Sequence, residues 1–235
     1  MSFLDKISTW LFKFKYRKDI PISKEYVIHH SLLKEKIEEE IENYLKKYPF
    51  HNLFSLYNLT EVIASEYGGT CSDRTIQFKK ILNEIFQYNS VNIQLHRAFI
   101  NGKKTHTILK IEIDKKTYFC DVGMGFPINR LLPSHKNIKF NNYGIKFKSV
   151  VNNNNELMIY IDEGQGEQEL MEIVNEVQNQ EKIEEEISQR WDKRHELPFH
   201  NKLRYFFIHN NKYYQIKDND LSFNSLSVKV FEDEK

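Results

Sequence analysis

The sequence predicts a mixed α/β (α+β) fold in three parts. These are an N-terminal helical bundle over residues 1–90, an antiparallel β-barrel-like middle over 91–163, and a C-terminal α/β lid segment, a helix plus a β-hairpin, over 164–235. Three observations carry this reading. Before residue 90, apolar residues recur at three- and four-residue spacing, as they do on helices with one buried face. From Val91 they alternate between turn signals, which reads as consecutive antiparallel strands. From Gly164 an acidic stretch keeps an apolar face and then gives way to a further hairpin. A chain of 235 residues can bury a sizeable core.

Composition narrows the function classes. Aromatic residues make up 14% of the chain, which argues for a packed interior. A net charge of +1 leaves no footprint for nucleic acid. Two cysteines, Cys71 and Cys120, are too few for a disulfide framework and fit a reducing compartment, with the cytoplasm the expected location. No apolar run is long enough to span a bilayer. The nine histidines are scattered without cysteine partners at ligand spacing, so no metal site is expected.

The elements follow in order. Residues 1–16 carry Phe3, Leu4, Ile7, Trp10, Leu11 and Phe12 among lysines and read first as a docking helix, with a membrane-surface helix as the second reading. Ser31 to Tyr48 is a charged helix with Leu33, Ile37, Ile41, Tyr44 and Leu45 on one face, ended by Pro49. A second helix is expected over about Leu56 to Ser65. A third runs from Cys71 to about Tyr88, with Phe78, Ile81, Leu82, Ile85 and Phe86 as its buried stripe. Thr70 and Asp73 form a capping-box signature at its start, and Gly68-Gly69 allow a sharp turn into it.

Strands are expected over Val91–Ile100, Thr105–Ile113 and Lys116–Val122, joined at Asn101-Gly102 and Asp114-Lys115. Phe126 to Phe140, with two prolines, reads as an irregular segment over the site. Gly144–Val151 and Glu156–Asp162 form another hairpin. Gly164 to Trp191 reads as a connecting helix. Leu203–His209 and Lys212–Ile216 form a last hairpin around Asn210-Asn211, and Leu226–Val230 adds a strand.

The chemistry gathers between Tyr67 and Pro127. Cys71 falls in the first turn of a helix, where free amides and the helix dipole favour a thiolate. A nucleophilic thiol needs a base and a group that orients the base. A two-residue turn at Asp114-Lys115 sets Ile113 opposite Lys116, and so places His106 and Asp121 diagonally on one face. Cys71, His106 and Asp121 can therefore form a nucleophile–base–orienter triad. Cys120, one residue earlier, points the other way. Taken singly, each of the three also has an ordinary structural reading as a buried thiol, a strand residue or a turn former.

Gly68-Gly69-Thr70-Cys71, His106 in a strand, and Asp121-Val122-Gly123-Met124-Gly125 together resemble the arylamine N-acetyltransferase family. Its pattern is Arg-Gly-Gly-x-Cys-x-Glu-x-Asn, then His, then Asp-x-Gly-Phe-Gly. Pro49-Phe50-His51-Asn52-Leu53 is similar to the family's upstream Pro-Phe-Glu-Asn-Leu. The resemblance covers roughly Tyr48 to Pro133. Tyr67, Asp73, Thr75, His51 and Met124 depart from it.

The resemblance implies an acyltransferase that moves an acetyl group from acetyl-CoA to an arylamine- or hydrazine-type amine, by a ping-pong route through a Cys71 thioester. It also implies that the segment after Asp121 lines the acceptor pocket, with Phe126, Gly123 and Gly125 as substrate-binding candidates. The triad order also serves cysteine hydrolases and amide-forming cyclases. Tyr67, Asp73 and Thr75 leave open a third reading, a binding protein that has lost the activity.

Overall fold

The computed structural model describes residues 22–57, 67–87, 89–154, 156–192, 201–221 and 224–233, with the backbone alone for 22–29 and 190–192. The expected helices over 1–16 and 56–65 lie mostly or wholly outside these residues. Helix α1 (Ile22–Lys47) begins earlier than its apolar spacing predicts. It buries the expected face of Leu33, Ile37, Ile41, Tyr44 and Leu45. The short β1 (Phe50–His51) and the single turn α2 (Leu53–Leu56) follow.

Helix α3 (Cys71–Phe86) starts at the expected residue because its first turn is closed locally. The Asp73 carboxylate accepts hydrogen bonds from the Thr70 amide at 3.0 Å and the Thr70 hydroxyl at 2.8 Å. Its buried stripe is shifted from the expected one. Arg74, Thr75, Phe78, Leu82 and Phe86 are buried, whereas Ile85 is 39% exposed. This face packs on β2 (Val91–Ile100) and β3 (Lys103–Ile113).

The main sheet adds β4 (Lys116–Cys120), β5 (Leu132–Pro133), β6 (Ile138–Asn142), β7 (Ile145–Val151), β8 (Glu156–Asp162) and β9 (Gln168–Val174). Its order is β5-β4-β3-β2-β9-β8-β7-β6, all antiparallel and nearly closed into a barrel. The hairpins turn at Asn101-Gly102, Asp114-Lys115 and Tyr143-Gly144, each with both central residues at positive φ. Such turns match the twist of paired strands.

The Asp114-Lys115 turn pairs Ile113 with Lys116 and Leu109 with Cys120, the register that its length predicts. Between β2 and β3 the register shifts at Ala98/Phe99, so that Ala98 rather than Arg97 stands opposite His106. This bulge, which the sequence did not announce, sets which β2 residue stands beside His106.

The apolar interior has two parts. One lies between the helices and the outer face of β2–β4, with Leu95, Leu109, Ile111 and Cys120 against Ile37, Phe78 and Leu82. The other fills the curved sheet, with Ala98, Ile108, Phe119, Ile159, Met171 and Ile173. Alternation along β3 and β4 sends neighbouring residues to different cores.

The expected helix over Gly164–Trp191 is a correction. Its first half is β9, which joins β2 to β8, and only Gln180–Asp192 is helical (α4). Met171 and Ile173 are buried on either side of the less buried Glu172, a two-residue period that the loose helical spacing had hidden. Strand β6 was likewise not expected.

A second sheet is formed by β10 (Leu203–His209), β11 (Lys212–Asp218) and β12 (Ser227–Phe231), in the order β1-β10-β11-β12. The N-terminal Phe50 is thus paired with Phe206. Asn52 fastens the junction, accepting from the Arg204 amide at 2.9 Å and donating to the Lys202 carbonyl at 2.6 Å.

Candidate active site

Residues from three elements meet at one end of the β3–β4 hairpin. The turn before α3 brings Cys71 there. Gly68 has φ +86, and a Cβ on it would lie 1.9 Å from the Pro49 carbonyl oxygen. Only glycine permits this approach. The Gly69 amide donates to the same carbonyl, and the His51 amide donates to the Gly69 carbonyl at 3.0 Å. The chain is thereby pinned immediately before the first helical turn. Cys71 is partly exposed, while Cys120 is fully buried.

His106 and Asp121 are 2% and 1% exposed. His106 Nε2 is 3.0 Å from Asp121 Oδ2. The other carboxylate oxygen accepts from the Gly123 amide at 2.8 Å and the Met124 amide at 3.0 Å. With Nε2 engaged, Nδ1 is the ring nitrogen left for Cys71, whose side chain hydrogen-bonds to His106.

Burial alone would favour a neutral imidazole. The Asp121 carboxylate and the Cys71 sulfur outweigh it and raise the His106 pKa to about 10. Burial likewise opposes the Asp121 charge, but the imidazole and the two amides hold this carboxyl below its ordinary range. The two groups form a sealed ion pair. Cys120 has the opposite setting, with burial first and then the Asp121 charge pushing its thiol well up.

The other candidates are placed differently. A Cβ on Gly123 would lie 2.9 Å from the Thr107 carbonyl and 3.0 Å from the Cys71 carbonyl, so this glycine lets β3 and α3 close on one another. Gly125 sits against Phe50 and Phe206, and its carbonyl accepts from the Tyr213 hydroxyl at 3.0 Å. Phe126 packs on Phe206 and helps to line a cavity of about 150 Å³ with Ile161, Glu163 and Leu170, without a member of the triad. Among the described residues, no group of three or more histidine, cysteine or acidic side chains could hold a metal ion.

The departures from the family motif also find places. Tyr67 is 64% exposed, but its carbonyl accepts from His51 Nε2 at 2.7 Å. His51 Nδ1 accepts from the Leu53 amide at 3.3 Å, which makes His51 a neutral clasp across the turn. Thr75 donates its hydroxyl to the Thr107 carbonyl at 2.9 Å.

Arg74 is the surprise. It is fully buried in α3, with its Cζ 5.7 Å from the Tyr44 ring. Burial lowers its pKa, against the charges of Tyr44, Asp121 and Tyr213. Nothing in its spacing separates it from an exposed helical arginine. Ser72, Arg97 and Thr107 are also buried beside the site and escaped the sequence reading, because polar residues next to a motif look like surface residues.

A helical N-terminal part, a nearly closed antiparallel sheet and a second sheet over its end define the fold of the arylamine N-acetyltransferases. The enzyme from Nocardia farcinica superposes with a TM-score of 0.63 at 15% identity, covering 83% of this chain and 76% of the other. That from Mycobacterium abscessus gives 0.65 at 12% identity, covering 85% and 78%. The Mycobacterium marinum enzyme in complex with CoA gives 0.61 at 14% identity, covering 85% and 81%.

By sequence, no curated protein matches the chain. A family model described as N-acetyltransferase matches residues 41–234, and the chain belongs to that family of enzymes. None of the described helices is long and apolar enough to cross a membrane.

Proposed function

We propose that the protein transfers an acetyl group from acetyl-CoA to an amine of the arylamine or hydrazine type, through a thioester on Cys71. The observation that carries this reading is the partly exposed Cys71 thiol in contact with His106, whose other ring nitrogen is 3.0 Å from Asp121. Family membership and the CoA complex of the Mycobacterium marinum enzyme support the donor.

In the first half-reaction the Cys71 sulfur attacks the acetyl carbonyl carbon. The carbon–sulfur bond to CoA breaks, and His106 gives a proton to the departing CoA sulfur. The Cys71 amide, in the first turn of α3, is the proposed donor to the oxyanion. In the second, the amine attacks the thioester carbonyl and His106 accepts its proton. The carbon–sulfur bond to Cys71 breaks, which yields the N-acetyl product and restores the thiolate–imidazolium pair. Asp121 keeps the imidazole in one tautomer and supports its charge throughout.

The segment from Gly123 through Gly125 to Phe126, running on from the triad, forms the acceptor side. Cys71 and Cys120, both thiols outside any disulfide, suit a reducing setting, and the cytoplasm is the proposed location.

Intact-protein mass spectrometry after mixing with acetyl-CoA tests the reading. The expected result is a single acetyl adduct on Cys71 that persists without amine and is discharged by aniline or a hydrazine as N-acetyl product. Discharge that is already fast without amine, with release of acetate, would indicate a hydrolase. Absence of any adduct from a panel of acyl thioesters would leave a binding protein.

A further inference from the structure

The triad does not account for a line of buried polar side chains that approaches the Cys71 sulfur from the side of α4. Arg97, on β2, is 4% exposed, and its Nη2 lies 3.5 Å from Glu186 on α4. Its Nη1 donates to the Thr107 hydroxyl at 2.6 Å. The Thr107 and Ser72 hydroxyls are 3.2 Å apart, and the Ser72 hydroxyl is 3.9 Å from Cys71 Sγ. Thr107 is fully buried and Ser72 is 6% exposed.

The guanidinium sets the first direction in this line, and the need to give each buried hydroxyl hydrogen an acceptor sets the rest. A guanidinium nitrogen can only donate. The Thr107 oxygen therefore accepts from Arg97. Among the described residues its one hydrogen has a single acceptor in reach, Ser72 Oγ. Ser72 Oγ accepts that hydrogen, and its own is left to point at the Cys71 sulfur. Were the Ser72–Thr107 bond reversed, the two lone pairs of Thr107 could accept both hydrogens, but among the described residues the buried Thr107 hydrogen would have no acceptor.

We propose that Arg97, Thr107 and Ser72 form a directional hydrogen-bond chain that ends on Cys71 and stabilises its thiolate. Ser72 touches the reacting atom, while Thr107 and Arg97 are positioning residues that act through it. Each link polarises the next, and the buried setting strengthens all of them. At 3.9 Å the last link is long for the thiol, and the charge of a thiolate draws the hydroxyl in. The chain complements His106, which takes up the proton, by holding the sulfur that has lost it. It also ties the nucleophile to α4 through Glu186. The inference rests on Cys71 being the nucleophile, but not on the identity of the acyl donor.

The test is the rate of Cys71 alkylation by iodoacetamide as a function of pH, followed by peptide mapping, in the full chain. Ser72→Ala should move the midpoint of the profile upward by about 0.7 of a pH unit, the worth of one hydrogen bond of ordinary strength. Thr107→Val should move it in the same direction. The double variant should shift no further than the larger single one, since both break the same chain. Thr107→Ser, which keeps the hydroxyl, should retain the wild-type midpoint.

Midpoints that coincide with wild type in Ser72→Ala, with or without a lower Tm, overturn the proposal, as does an additive double variant. If Thr107→Val does not fold, Ser72→Ala and Thr107→Ser decide the matter. Acetylation of wild-type Cys71 by acetyl-CoA is scored separately. Its failure, with the midpoint shifts intact, would remove the acetyltransferase reading and leave the chain of hydrogen bonds standing.

Discussion

His106 Nε2 and Asp121 Oδ2 are 3.0 Å apart in a pocket where neither side chain is more than 2% exposed. A bond so sealed fixes the imidazole tautomer, because water cannot compete for either partner. Asp121→Asn keeps the shape and the acceptor for the Gly123 and Met124 amides but removes the charge. The variant should fold, and Cys71 acylation should slow by about 10²–10⁴-fold. Single-turnover acylation measured by mass spectrometry, with circular dichroism to verify folding, checks this. A folded variant that acylates at the wild-type rate would remove Asp121 from the mechanism.

The two thiols should differ sharply in reactivity. Cys71 is partly exposed beside His106, whereas Cys120 is fully buried in the core behind β4 and its thiol is pushed up by burial and by Asp121. Limiting iodoacetamide near neutral pH should label Cys71 and leave Cys120 unmodified until the protein is denatured. Preferential labelling of Cys120 in native protein would contradict the arrangement described above.

Gly123→Ala should act as a wedge. The added methyl would meet the Thr107 carbonyl and the Thr75 hydroxyl at 2.9 Å each and the Cys71 carbonyl at 3.0 Å. Two of these are backbone atoms that cannot rotate away, so α3 and β3 must separate. The expected cost is about 1–3 kcal/mol of stability together with slower acylation. Urea titration and single-turnover kinetics read the two effects. A variant that loses neither shows that the interface has slack.

Asp73 supplies a pH dependence of stability. Burial raises its pKa to about 6, against the hydrogen bonds from Thr70. The folded state therefore binds this proton more tightly than the unfolded chain does. The resulting stabilisation is complete below about pH 4 and is lost as pH rises through 6, a swing of at most ~3 kcal/mol. Asp73→Asn removes the titration, so its stability relative to wild type should rise between pH 4 and 7. Urea titrations at several pH values measure this difference. Parallel pH profiles for the two proteins would show that Asp73 does not titrate in this window.

Local rules were enough to read much of the site. The Thr70–Asp73 cap fixes where α3 starts and so places Cys71 in its first turn. The two-residue turn at Asp114-Lys115 fixes the β3–β4 register, and with it the diagonal that brings His106 to Asp121. The alternation of β4 then separates Cys120 from Asp121. Each of these depends on residues within a few positions of one another, where backbone sterics and hydrogen-bond geometry leave few choices.

Tertiary structure decided the rest. The bulge at Ala98/Phe99 puts Ala98 rather than Arg97 opposite His106, and nothing in the Asn101-Gly102 turn demands it. Residues 168–174 are a strand because β2 and β8 each offer an unpaired edge, and their backbone groups outweigh a helical preference in that acidic stretch. Phe50 and His51 join β10, more than 150 residues along the chain. Arg74 and the Arg97–Thr107–Ser72 line are buried by elements distant from them in the chain. A polar side chain carries no sequence mark of the partner that will desolvate it, since that partner is supplied by the fold and not by its neighbours along the chain.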